Sequence, residues 1–381
     1  MKGEAEFEAA LAAANLPGAV ALITDSKDTR YLRAFGMADA VAGVPMREDS
    51  LFQIASMTKA LTSAAVLQLV ERGKLDLDAP VGAILPELAD PQVLDGFDEA
   101  GAPILRPAKS PVTLRHLLMH TSGCGYTFMN ADLLRHAMAT GNMAPGTRKS
   151  LDQPLAFDPG TRWEYGTGID WAGLAVEAVT GMRLGEWFER ELTGPLGMTQ
   201  TRFRDSWSAD DAQIHVRSES GELTTQAMVL GAGEYHNGGG GLSSTASDYA
   251  RFLRMVLRGG ELDGVRVLSP ESAQAARTDA LAPHLSAGEM ATAMPGFATA
   301  FDPLPGQRGG WTIGGFLVNT ETGPAGRSPG SLHWAGIFNC YYWIDPDRDL
   351  AGVILTQMSP FAEPGALDAF AALERMACAN A

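Results

Sequence analysis

Ser56 and Lys59, in the stretch "FQIASMTKALTSAAVLQLVERGKL", stand three residues apart, a spacing that puts two side chains on one face of a helix. A serine hydroxyl is a weak nucleophile near neutral pH and needs an adjacent base. The apolar residues Leu61, Ala64, Ala65, Leu67, Leu69 and Val70 predict a helix that starts at the serine. A lysine one turn inside that N-terminus meets the positive end of the helix dipole, where an ammonium is disfavoured and an amine base is favoured. An N-cap serine beside a solvated lysine has the same spacing, so the pair alone does not decide. A second group must return the proton to the leaving group, and a tyrosine phenol is one of the few side chains able to do so. "GTRWEYGTG" offers Tyr165, in a glycine-flanked turn before a helix expected to start near Asp170.

The elements that must hold these residues can be read along the chain. An amphipathic helix opens the sequence, and "GAVALITDSK" with "DTRYLRAFGMAD" predicts an antiparallel hairpin. From Asp76 to about Gly231, helical patterns such as "TLRHLLMH" are punctuated by Pro and Gly, with no strand alternation. Gly238 to Gly241 form a flexible tract before "STASDYARFLRMVLRGG", a helix capped by Ser244 or Thr245. "GGWTIGGFLVN", "SLHWAGIFNCYYWIDP" and "LAGVILTQMS" read as consecutive strands, and a helix from Ala366 to Ala377 closes the chain. A length of 381 residues favours two lobes. The expectation is a discontinuous sheet lobe of residues 1–78 and 238–381 and a mostly helical lobe of residues 79–237, an α+β architecture with an antiparallel sheet flanked by helices.

Composition narrows the partners. Forty-five acidic against 29 basic residues leave a net charge of −16, which repels phosphate backbones and anionic lipid surfaces, so neither nucleic acid nor a membrane is expected. No apolar run approaches the roughly 18 to 20 residues that span a bilayer. Glu4, Glu6 and Glu8 interrupt the place where a signal peptide needs an apolar core. Cys124, Cys340 and Cys378 are too few and too scattered for a disulfide framework and read as reduced thiols; a cytoplasmic protein is expected. The glycine tract lacks the lysine and spacing of a phosphate loop. His116 and His120 lie four apart but lack the glutamate context and third ligand of a metal site, so no cofactor and no metal are expected.

"SMTK", then "YGT", then "HWAGIFNCYYWIDP" after "GGGGLSSTASDYARF" resemble the serine β-lactamase-like superfamily, with class C β-lactamases and the related family VIII carboxylesterases the nearest in pattern. The likeness runs over roughly residues 5 to 378. It implies a β-lactamase/transpeptidase-like fold, with Ser56 as the acylated nucleophile, Lys59 as its base partner and Tyr165 as the proton shuttle. It further implies an oxyanion hole from the backbone N–H groups of Ser56 and Ile337. The third motif departs from the lactamase Lys-Thr-Gly and reads Trp334, Ala335, Gly336, where the esterase relatives have Trp-Gly-Gly. Replacing a carboxylate-pairing lysine by an indole favours a neutral, apolar substrate group. Thr167 stands where the lactamase pattern has Asn, which weakens the case for amide cleavage.

Other residues join as expected pocket walls: Tyr126, Phe128 and Met129 in the loop after "HTSG", and His333 beside Trp334, which lines the pocket or faces outward. The leading expectation is a serine carboxylesterase acting on small neutral esters with short acyl groups. A β-lactamase or D-aminopeptidase, an acyltransferase using an alcohol in place of water, and a scaffold without turnover are the alternatives. Oligomeric state is not readable from the sequence.

Overall fold

A computed structural model describes residues 1–144, 146–218 and 220–381. Its centre is an eight-stranded, wholly antiparallel sheet made from both ends of the chain. The N-terminal strands are β1 (Gly18–Thr24), β2 (Thr29–Asp39) and β3 (Val44–Pro45). The C-terminal ones are β4 (Gly309–Trp311), β5 (Leu317–Asn319), β6 (Leu332–Gly336), β7 (Cys340–Asp345) and β8 (Leu350–Leu355). Their order across the sheet is β4-β5-β6-β7-β8-β1-β2-β3. All seven residues of β1 are buried, because it pairs with β2 on one side and β8 on the other, Leu22 facing Leu32 and Val353.

The sheet is covered on both faces, and β7 records it residue by residue. Successive strand residues point to opposite faces. Tyr342 meets Tyr249 at 5.2 Å between ring centroids, whereas Trp343 meets Phe370 at 5.7 Å. Tyr249 belongs to one of five long helices: α1 (Glu4–Ala14), α2 (Thr58–Glu71), α3 (Gly168–Thr180), α4 (Ala246–Leu257) and α5 (Pro364–Cys378). Thus α4 covers one face, and α5, on which α1 packs, covers the other. Phe7, Leu11 and Ala14 are the buried side of α1. Thr245 caps α4 by accepting the Asp248 N–H at 3.1 Å.

Sequence periodicity gives α2 one apolar face, but the helix is buried from Thr58 to Leu69. Most of its buried polar residues find a partner, Ser63 Oγ being the exception among the described residues. Thr62 donates to the Gly238 carbonyl at 2.7 Å, and Gln68 donates to the Glu191 carbonyl and accepts from the Trp187 indole. The segment expected to be free of strands contains two hairpins, Gln92–Phe97 with Pro103–Pro107 and Ile214–Arg217 with Leu223–Gln226. Proline at both ends of one strand, and a register shift between Leu94 and Gly96, hide the first from an alternation pattern. "GGWTIGGFLVN" is two strands, β4 and β5, turned at Thr312–Phe316.

Candidate active site

Ser56 sits in a 3₁₀ turn, Ala55–Met57, directly before α2. Ala55 carries φ of 46°, a left-handed conformation that a residue with a Cβ seldom adopts. That bend places Ser56 at the helix entrance, partly exposed, while Lys59 behind it is completely buried. Lys59 Nζ donates to Ser56 Oγ at 3.2 Å, to Tyr126 Oη at 2.9 Å and to the Gly239 carbonyl at 2.6 Å. The expected serine–lysine pair is therefore assembled, with two acceptors that spacing did not reveal.

Tyr165 approaches from the turn before α3. Gly166 follows it because the Cys124 carbonyl would lie 1.9 Å from any Cβ there. That contact binds the loop carrying Tyr126 to the turn carrying Tyr165, and the two rings stand 5.3 Å apart. Lys59 Nζ lies 4.7 Å from the Tyr165 ring centroid. The Trp334 indole N–H donates to Tyr165 Oη at 3.1 Å. The third-motif tryptophan is thus a hydrogen-bond donor to the tyrosine as well as an apolar wall.

The end of β6 packs on the Ser56 turn, Gly336 passing directly against the Ile54 carbonyl. This brings Ile337 beside the serine, and both line one pocket. Tyr165, His333, Trp334, Ala335, Phe128 and Met129 line it too. The pocket holds about 540 Å³ of empty space counting its mouth. It is a narrow slot, and among the described residues no lysine, arginine or carboxylate stands in its wall. His333, its one basic group, is held neutral by burial and then by the Arg327 charge, both of which lower its pKa well below normal.

Tyr126 is the residue whose place differs most from expectation. It does not line the slot; it stacks on Phe128 at 4.9 Å and turns its hydroxyl to Lys59. Burial, and next the charge of Asp170, push its pKa well above the ordinary phenol value, so it is a neutral phenol. His120 follows the C-cap of the short helix Leu114–Leu118 in a left-handed conformation, φ 53°, and its ring turns inward. It is buried against Tyr165 at 4.7 Å, accepts the Gly166 N–H through Nδ1, and is kept neutral by burial and by Lys59. His116 caps a short helix, its Nδ1 accepting from the Thr113 N–H. One Gly-x-Ser-x-Gly pentapeptide exists, Gly326 to Gly330, and its serine is structural: Ser328 N–H donates to Asp345 and its Oγ accepts from Arg348.

Asp170 and the Gly239 carbonyl escaped the motif reading. The signal available for Asp170 was an acid in the first turn of the largely apolar helix "GIDWAGLAVEAV", five residues after Tyr165. No comparable signal marked Gly239, since a backbone carbonyl has no sequence signature.

With this geometry in hand, comparison with known proteins is decisive. Residues 4–377 match the Beta-lactamase family model. The chain belongs to the Beta-lactamase family. Monacolin J acid methylbutanoyltransferase of Aspergillus terreus is 34% identical over 382 residues, covering 95% of this chain and 91% of that protein. Lovastatin esterase of Penicillium rubens is 32% identical over 368 residues, covering 91% and 90%. Unliganded simvastatin synthase from Aspergillus terreus superposes with a TM-score of 0.84 at 30% identity, covering 99% of this chain and 97% of that one. This family member is an enzyme of the serine hydrolase type with a β-lactamase/transpeptidase-like fold. Among its described residues no helix is long and apolar enough to cross a membrane.

Proposed function

We propose that this enzyme is a serine carboxylesterase, related to the family VIII esterases, that cleaves small neutral esters through an acyl-enzyme on Ser56. The observation that carries the reading is the Ser56 slot itself: narrow, apolar and, among the described residues, without a fixed charge, with an indole where a carboxylate-binding lysine would stand. A penicillin carboxylate or peptide C-terminus would be desolvated there without a counter-charge, at a cost of several kcal/mol. A short acyl chain fits the slot and loses nothing.

In the proposed reaction Ser56 Oγ attacks the ester carbonyl while its proton passes to the Lys59–Tyr165 pair. The carbonyl oxygen takes the negative charge and is met by the Ser56 and Ile337 N–H groups. Trp334 N–H and the nearby Lys59 amine favour negative charge that develops on Tyr165 Oη during the transfer. The C–O bond to the alcohol then breaks, Tyr165 returns the proton to the departing oxygen, and the acyl group remains on Ser56. Water, activated by the same pair, attacks the acyl carbon and frees the serine.

A second reading, transfer of the acyl group to an alcohol, is favoured by the same lining. Apolar walls around an acyl-enzyme keep water dilute and give an organic acceptor a surface to bury. The names of the similar proteins include both a methylbutanoyltransferase and an esterase. The test is a panel of p-nitrophenyl esters of increasing acyl length, with and without an added alcohol, beside a chromogenic cephalosporin. Fast short-ester turnover with little cephalosporin turnover supports the esterase. Rapid cephalosporin turnover would reject it, and acyl-alcohol product exceeding free acid would give acyl transfer precedence.

A further inference from the structure

Asp170 lies in the first turn of α3, 1% exposed, although an acid at that place in a helix is ordinarily solvated. Oδ1 accepts the Gly239 N–H at 3.1 Å, and Oδ2 has no hydrogen-bond partner among the described residues. An asparagine would serve the Gly239 N–H equally well and would not require a charge to be buried. The carboxylate must therefore be matched by something else nearby. Its surroundings supply it: the same Gly239 whose N–H binds Asp170 offers its carbonyl to Lys59 Nζ.

The charged and titratable groups facing Asp170 are few. Lys59 reaches it from α2, Tyr126 and Cys124 from the loop after His120, and Tyr235 from the segment before the glycine tract. Burial raises the Asp170 pKa, and Lys59 is the largest influence opposing that rise. Burial and the Asp170 charge keep the proton on the Tyr126 phenol. Tyr126 Oη already accepts from Lys59, so its own proton is free for the carboxylate whose Oδ2 lacks a donor. Lys59 and Asp170 are thereby joined through Gly239, and Tyr126, bound to Lys59, lies beside the unpartnered Oδ2.

We propose that Asp170 is a positioning residue of this site, holding the Gly239 carbonyl and the Tyr126 hydroxyl on Lys59 and setting, through its charge, the pH at which Ser56 becomes reactive. The inference rests on Ser56 being the nucleophile. Asp170 touches neither substrate nor reacting atoms. Its negative charge favours positive charge on Lys59 and opposes loss of protons from the neighbouring phenols, so removing it lets the reactive form of the Ser56–Lys59–Tyr165 group appear at lower pH.

The experiment measures the rate at which a fluorophosphonate probe labels Ser56, from about pH 5 to pH 9, in wild type, Asp170→Asn and Tyr126→Phe. Intact mass and peptide mapping locate the label, and thermal melts check folding. Asp170→Asn is expected to lower the maximal rate roughly tenfold and move the acidic limb down by about one pH unit. Tyr126→Phe, which leaves Asp170 and Gly239 in place, moves the limb the same way by less. A purely structural role would lower the melting temperature or the rate and leave the limb where it was. A limb that stays put or moves up in whichever variants fold overturns the proposal. Failure of the probe to label Ser56 in wild type would instead overturn the nucleophile assignment, so the two failures are distinct.

Discussion

Trp334 joins two properties in one side chain, and substitution can separate them. Its ring closes the slot, and its N–H holds Tyr165 Oη. Trp334→Phe keeps most of the wall and loses the donor; kcat is expected to fall by roughly three- to tenfold, about 1 kcal/mol for one hydrogen bond, with KM for apolar esters nearly unchanged. Trp334→Ala removes both and raises KM as well, by a contact worth on the order of 1 to 3 kcal/mol. Trp334→Lys shifts preference toward esters bearing a carboxylate next to the scissile bond, because a desolvated ammonium attracts that group and is penalised by an apolar one. Steady-state kinetics on a neutral ester and its carboxylate analogue check all three. An identical kcat/KM ratio for the two substrates in all the proteins would mean that residue 334 does not select between them. At this scale the sequence was most legible for Ser56, Lys59, Tyr165 and Trp334, whose side chains form an ordered set of motifs. It was least legible for Tyr126, where a residue expected in the wall turned its hydroxyl to the lysine through a close approach of two glycine-bearing loops.

Where α5 meets the sheet, Arg327 and Glu374 form an ion pair at 3.1 Å with both side chains almost wholly buried. Burial pushes the Glu374 pKa up to about 7, although Arg327 and Arg375 pull it down. A carboxyl whose folded pKa lies above its unfolded value holds a proton that the unfolded chain has released, so its contribution to stability falls as pH rises from about 4.5 to about 7. Arg327→Ala leaves the acid unpaired and is expected to cost about 3 to 5 kcal/mol near pH 8. The deficit should shrink toward pH 5, where the folded carboxyl is protonated and so loses little by having no cationic partner. Melting temperatures of wild type and variant across that range test the sign; a deficit independent of pH would contradict it. The elements themselves followed from local patterns where apolar residues were dense, as in β1, β8 and α5. They did not where proline and glycine broke the alternation, as in the Gln92–Phe97 hairpin. All-round burial of α2 was hidden because Thr62 and Gln68 are polar in sequence and find partners in Gly238, Glu191, Val267 and Trp187 from distant segments.

At the scale of the molecule, one sheet is built from the two ends of the chain, and the Ser56 turn is set between β6 and α2. Strands at both ends with helices between were readable as a discontinuous sheet; the pairing of β8 with β1 that closes it, across more than three hundred residues, had no local signature. That closure places Trp334 from the C-terminal strands against Tyr165 from the middle of the chain, and so makes the slot. Ser56→Ala should leave the melting temperature within about 1 °C of wild type, since a partly exposed hydroxyl contributes little to a core, while abolishing ester turnover. The most direct test is to trap the acyl-enzyme. The wild-type chain is mixed with p-nitrophenyl butyrate, quenched in acid during the first turnover, and mapped by peptide mass spectrometry. One butyryl group on the peptide between Arg47 and Lys59, absent in Ser56→Ala, is the expected result; a stoichiometric burst of p-nitrophenol with the acyl group on another residue, or on none, would contradict it.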